Sequence, residues 1–132
     1  MKYFTNMLRK QHLKATPQRL AILTSISKYG HINIDHLYSE IKLIFKSISL
    51  ATIYKNINAM TNALILQEVK LPSSKAVYEI TKQNHSHLLC IKCNKIEDIV
   101  IDLQQTIKIV HQNNFEVKHT DLILSGICGH CA

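Results

Sequence analysis

From residue 4 to residue 60 apolar positions recur at intervals of three and four, the period of helices that bury one face. Phe4, Met7, Leu8 and Leu13 predict a short amphipathic helix over 4–13. Thr16-Pro17-Gln18-Arg19 opens a second. Thr can cap it, Pro in the first helical position loses no N–H that is needed, and Leu20, Ile22, Leu23 and Ile26 supply the apolar stripe. Gly30, after Tyr29, is its natural stop. Asn33 caps a third helix with Ile34, Leu37, Ile41, Ile44 and Phe45 on one face. Ser49 caps a fourth over 50–61, where Leu50, Ile53, Ile57 and Met60 point one way and Thr52, Tyr54, Lys55 and Asn58 are left outside.

The period then changes. Residues 64–71 and 76–80 read as β segments on either side of Pro72-Ser73-Ser74, which is turn chemistry, so a hairpin follows the fourth helix. Two helices joined by a tight turn and followed by a hairpin predict a winged helix-turn-helix over 1–80. The polar run 81–86 is the expected hinge. Beyond it, 88–91 and 96–100 read as strands, 103–111 as a helix, and 115–117 and 122–127 as strands again, a small α/β domain over 87–132. The expected fold class is therefore α+β.

Composition changes this picture in two respects. The 132 residues carry 16 Lys+Arg against 9 Asp+Glu, but residues 1–84 hold 12 and 4 of these and residues 85–132 hold 4 and 5. The first part is thus +8 and the second −1, an asymmetry that points to a polyanion partner for the winged helix. With 46% hydrophobic residues the chain can bury a core, which excludes disorder as its main state. No apolar run approaches the roughly 18 residues of a membrane span, and the first residues lack the apolar stretch of a signal peptide. The expected location is cytoplasmic, with no membrane partner, and in a reducing compartment four cysteines are metal ligands or redox thiols more often than disulfides.

Cys90-x-x-Cys93 and Cys128-x-x-Cys131 use every cysteine in the chain. Two such knuckles complete a tetrahedral thiolate shell with no open position, the pattern of a structural zinc; rubredoxin-type iron or a redox dithiol uses the same ligands. His85-Ser86-His87 places two imidazoles on one side of an extended chain, with Glu79 before them and Glu97 and Asp98 after. Such a mixed nitrogen and oxygen set suits Fe(II), Mn(II) or Zn(II). On the exposed face of the fourth helix, Tyr54 could pack on thymine methyls and Lys55 could reach guanine or phosphate, flanked by Thr52 and Asn58. Lys14 and Arg19 would anchor the DNA backbone.

The stretches LKATPQRLAIL (13–23), SLATIYKNINAM (49–60), HSHLLCIKCNKIED (85–98) and FEVKHTDLILSGICGHC (115–131) together resemble the ferric uptake regulator (Fur) superfamily, in order and at its spacing. The resemblance implies a homodimeric, metal-dependent transcriptional regulator, not an enzyme: a repressor of double-stranded operator DNA whose C-terminal domain is a dimerisation domain. It also implies structural zinc at the four cysteines and a regulatory Fe(II) or Mn(II) site at His31, Glu79, His85, His87 and Asp98. Asp at position 98 resembles the peroxide-sensing branch, in which iron and hydrogen peroxide oxidise a ligand histidine, whereas Glu79 resembles the iron-responsive branch. A further metal site of iron-responsive members falls on Asn84, Ser86, Gln105 and Thr120, a poor donor set. Peroxide sensing is therefore expected. The alternatives are an iron-responsive repressor, a small non-haem metalloenzyme using two histidines and a carboxylate, and a zinc-stapled interaction module without DNA binding.

Overall fold

The computed structural model of the chain describes residues 2–72 and 74–132, which form two compact units, one ending at Thr81 and one running over Lys82–Ala132. In the first unit, α1 (Lys2–Lys10) buries Leu8 and ends three residues earlier than its apolar pattern predicts. A turn through His12, at φ 61°, intervenes, and Leu13 N–H returns to the Leu8 carbonyl. α2 (Pro17–Tyr29) starts at the predicted cap, with Thr16 Oγ1 accepting from Arg19 N–H. It stops at Gly30, whose φ of 77° is open to a residue without Cβ.

β1 (Ile32–Asn33) is a two-residue strand absent from the sequence reading; α3 (Ile34–Ile44) follows it, capped by Asn33. α4 (Leu50–Asn62) is capped by Ser49. The hairpin is β2 (Leu66–Val69) and β3 (Val77–Ile80), antiparallel with Gln67 opposite Glu79, and β1 joins the other side of β3. Of the turn expected between them, Ser73 lies outside the described residues. Helices and sheet close over Ile22, Leu23, Ile26, Leu37, Ile41, Ile53, Ile57 and Met60, all essentially inaccessible to water. Two stripe positions differ from expectation: Ile44 and Leu50 are exposed, because each sits at the end of its helix where the facing layer has run out. This is a winged helix-turn-helix.

The second unit is a three-stranded sheet in the order β5-β4-β6, made of β4 (Ser86–Cys90), β5 (Ile96–Ile99) and β6 (Ile123–Gly126), with α5 (Gln104–His111) between β5 and β6. β4 runs antiparallel to β5 and parallel to β6. Ser86, expected in the hinge, is the first residue of β4 and is buried. The expected strand at 115–117 does not form; that stretch is irregular coil, with Phe115 exposed. Leu89 and Cys90 are the only hydrophobic residues of this unit that are buried among the described residues. A core so thin cannot by itself hold about fifty residues. No helix of the described residues is long and apolar enough to cross a membrane.

Candidate metal centres and nucleic-acid face

Parallel pairing of β4 with β6 aligns Cys90 with Gly126, so the turns that leave the two strands start from the same end of the sheet. In the first turn Asn94 N–H returns to the Cys90 carbonyl, with Asn94 at φ 62°, a left-handed conformation that Asn tolerates. In the second, Cys131 N–H returns to the Cys128 carbonyl. The turns thereby gather all four sulfurs within 4.8 Å of one another. Cys93 Sγ and Cys128 Sγ are 3.8 Å apart, and none of the four cysteines is in a disulfide. A tetrahedral zinc with bonds of about 2.3 Å needs sulfurs about 3.8 Å apart, so the cluster fits structural zinc.

The thiols of this cluster perturb one another. Backbone N–H groups of Cys93 and Cys128 pull the Cys90 thiol down to about 6. Hydrogen bonding to Cys128, together with burial, pushes Cys131 up to about 12. Four thiols this close cannot all ionise without a cation to balance them.

The candidate histidines and carboxylates come from both units. In the first unit, Glu79 on β3 is buried, its Oε1 accepting from the Gln67 amide across the hairpin and its Oε2 lying 2.8 Å from His31 Nε2. The turn at Gly30 delivers His31 to that point, just before β1 pairs with β3. In the second unit, His87 stands opposite Asp98 in the β4–β5 register. His87 Nε2 and His85 Nε2 are 3.1 Å apart and lie 3.5 and 3.8 Å from Asp98 Oδ1. His85 Nδ1 donates to the Gln83 carbonyl at 2.8 Å, which leaves Nε2 as the lone-pair nitrogen of the neutral ring. A backbone carbonyl orienting one imidazole, a second imidazole and a carboxylate make a donor set suited to a borderline divalent cation. Glu97, the other carboxylate candidate, instead pairs with Lys95, which holds it below the usual carboxylate range.

On α4, Tyr54, Lys55 and Asn58 are exposed, while Thr52 is half-buried with its hydroxyl 2.9 Å from the Ser49 hydroxyl. Lys14 is exposed in the link before α2. Arg19 is half-buried and hydrogen-bonded to Asn56 and to the Lys14 carbonyl. The sequence reading missed three residues that touch these sites: Gln67 at Glu79, Lys82 on Asp98, and Asn56 at Arg19. Asn56 alone left a signal, as a polar residue beside Ile57 and three positions from Ile53 on an apolar stripe.

A family model described as the ferric uptake regulator family matches residues 10–125. The peroxide-responsive repressor PerR of Staphylococcus epidermidis is 33% identical over 129 residues, covering 94% of this chain and 85% of that protein. Among solved structures, the Campylobacter jejuni peroxide stress regulator is 37% identical with a TM-score of 0.75, covering 96% of this chain and 97% of its own. The Vibrio cholerae ferric uptake regulator is 28% identical with a TM-score of 0.77, covering 95% and 99%. With a winged helix followed by a sheet stapled at two C-x-x-C turns, and with matches that span nearly the whole of each partner, the chain belongs to the ferric uptake regulator family.

Proposed function

We propose that the chain is a homodimeric, metal-dependent DNA-binding repressor that senses peroxide, working in the cytoplasm where its operator lies. The observation that carries this reading is the likeness, across nearly the full length of both chains, to proteins named as peroxide-responsive regulators. The +8 charge of residues 1–84 and the exposed Tyr54, Lys55 and Asn58 of α4 support DNA as the partner. In this reading Lys14 and Arg19 meet the DNA backbone beside that face, with Thr52 at the start of the helix. Exposed Val100, Ile109 and Phe115, on a unit that buries little else, support a second copy as the surface that covers them.

In this reading His31 and Glu79 of the first unit and His85, His87 and Asp98 of the second hold one regulatory Fe(II) or Mn(II), while the four cysteines hold zinc. Bound Fe(II) supplies reactivity toward hydrogen peroxide. The chain's own part is to present ring nitrogens and carboxylates to one ion and so fix the angle between its domains. A dimer must place two recognition helices about one DNA turn apart, so ligand loss weakens operator binding, and metal and operator strengthen each other's binding reciprocally.

Zinc-loaded protein treated with Fe(II) and hydrogen peroxide is expected to gain the mass of one oxygen atom on a peptide containing His31, His85 or His87, and to release operator DNA. Unmodified histidines together with operator binding that follows iron alone would favour the iron-responsive reading, toward which Glu79 leans. Operator binding that survives replacement of both Tyr54 and Lys55 by Ala would favour an interaction module without DNA readout.

A further inference from the structure

Arg19 is one of only two arginines in the chain, and two of the five N–H donors of its guanidinium are engaged within the protein. Nε donates to Asn56 Oδ1 at 3.1 Å and Nη1 donates to the Lys14 carbonyl at 3.1 Å. Its own backbone N–H is taken by the Thr16 cap. Asn56 is buried on the inner side of α4, and its amide donates to the Thr52 carbonyl one turn back, which fixes the direction of its Oδ1. One planar group therefore joins three segments: the link carrying Lys14, the first turn of α2, and the middle of α4 opposite Tyr54 and Lys55. A fork of fixed geometry suits this task, and a lysine, a point donor on a flexible stem, cannot hold two acceptors in the same directions.

The geometry points to Arg19 and Asn56 as positioning residues for DNA binding, a latch that sets the Lys14 link against α4 so that both meet the duplex in one register. The inference rests on the DNA-binding reading above and revises one part of it: Arg19 acts through its neighbours and is not itself a phosphate anchor. A phosphate anchor contributes charge, which lysine also supplies, and its loss lowers the salt dependence of binding by about one contact. A latch contributes geometry, and its loss weakens binding with the salt dependence unchanged.

The test uses full-length, zinc-loaded protein with labelled arginine. In the wild type, the Nε–H of one arginine is expected to exchange slowly with solvent while that of exposed Arg9 exchanges fast, and Asn56→Ala should abolish the slow signal. Against operator DNA, Asn56→Ala and Arg19→Lys are each expected to weaken binding about tenfold with an unchanged salt slope. The double variant should be no weaker than either single one, as for two halves of one interaction. Arg19→Lys binding like wild type, with Arg19→Ala lowering the salt slope by about one, would overturn the latch, as would equal exchange at both arginines. Wild-type protein that fails to bind operator at any metal concentration would count against the DNA-binding reading instead, and the exchange measurement would still decide whether the latch exists.

Discussion

Tyr78 lies in β3 with its ring buried and its hydroxyl donating to Glu68 Oε2 at 3.3 Å on the neighbouring strand. Burial first, and then the Glu68 charge, push its phenol up to about 12. An unfolded tyrosine titrates near 10, so between about pH 10 and pH 12 the unfolded chain has released a proton that the folded chain still holds. Folding stability contributed at this site is complete below pH 10 and is lost as pH rises through that window. Urea unfolding at about pH 9 and about pH 11 should show it. The wild-type midpoint is expected to fall further between the two than that of Tyr78→Phe, and parallel curves would contradict the assignment. Gly30 offers a second test at this scale. A Cβ there would meet no atom within 4 Å, yet the φ of 77° is unfavourable for any side chain. Gly30→Ala is therefore expected to cost about 1 kcal/mol through backbone strain alone. It should also disturb the approach of His31, the next residue, to Glu79.

Helix starts offer a test at the scale of elements. Ser49 accepts from Thr52 N–H at 3.1 Å, and Ser49→Ala is expected to lower stability by about 1 kcal/mol with the rest of α4 intact, measured by denaturant unfolding and circular dichroism. Thr16, Asn33 and Ser49 were legible in the sequence because a cap is a local event: one side-chain oxygen, one N–H three residues on, and an apolar stripe behind them. The four cysteines were legible for a similar reason, since two-residue spacing already brings each pair to one ion. β1 was not, because two residues carry no period; Ile32 and Asn33 are a strand only because β3 offers them an edge. Phe115–Val117 failed in the opposite direction, an apolar pattern of strand type with no neighbouring strand to accept it. Register was hidden as well. Nothing in the order of residues says that Gln67 faces Glu79 or that His87 faces Asp98, and those pairings decide which carboxylate stands beside which imidazole.

At the scale of the whole molecule the two units differ in what sustains them. The first closes over a continuous core that includes Leu8, Leu23, Leu37 and Met60, whereas the second buries Leu89 and Cys90 and little else that is apolar. Removal of zinc by a strong chelator is therefore expected to unfold residues 82–132 while amide protection persists in α2 and α4, and Cys93→Ser should reproduce the loss. Simultaneous loss of protection in both units would show that they fold as one.

The two C-x-x-C turns have one further effect, because they lie at nearly opposite ends of the second unit's sequence. A zinc ion shared by the two turns would close a loop through β5, α5, the irregular stretch that follows and β6. A protease cutting the irregular stretch, for example beside exposed Lys118, would open the loop without freeing either piece. The short C-terminal fragment, bearing only β6 and two thiolates, would stay tethered through the ion and leave when the ion does. A nicked molecule and an intact one would thus be indistinguishable in size until the metal is taken away.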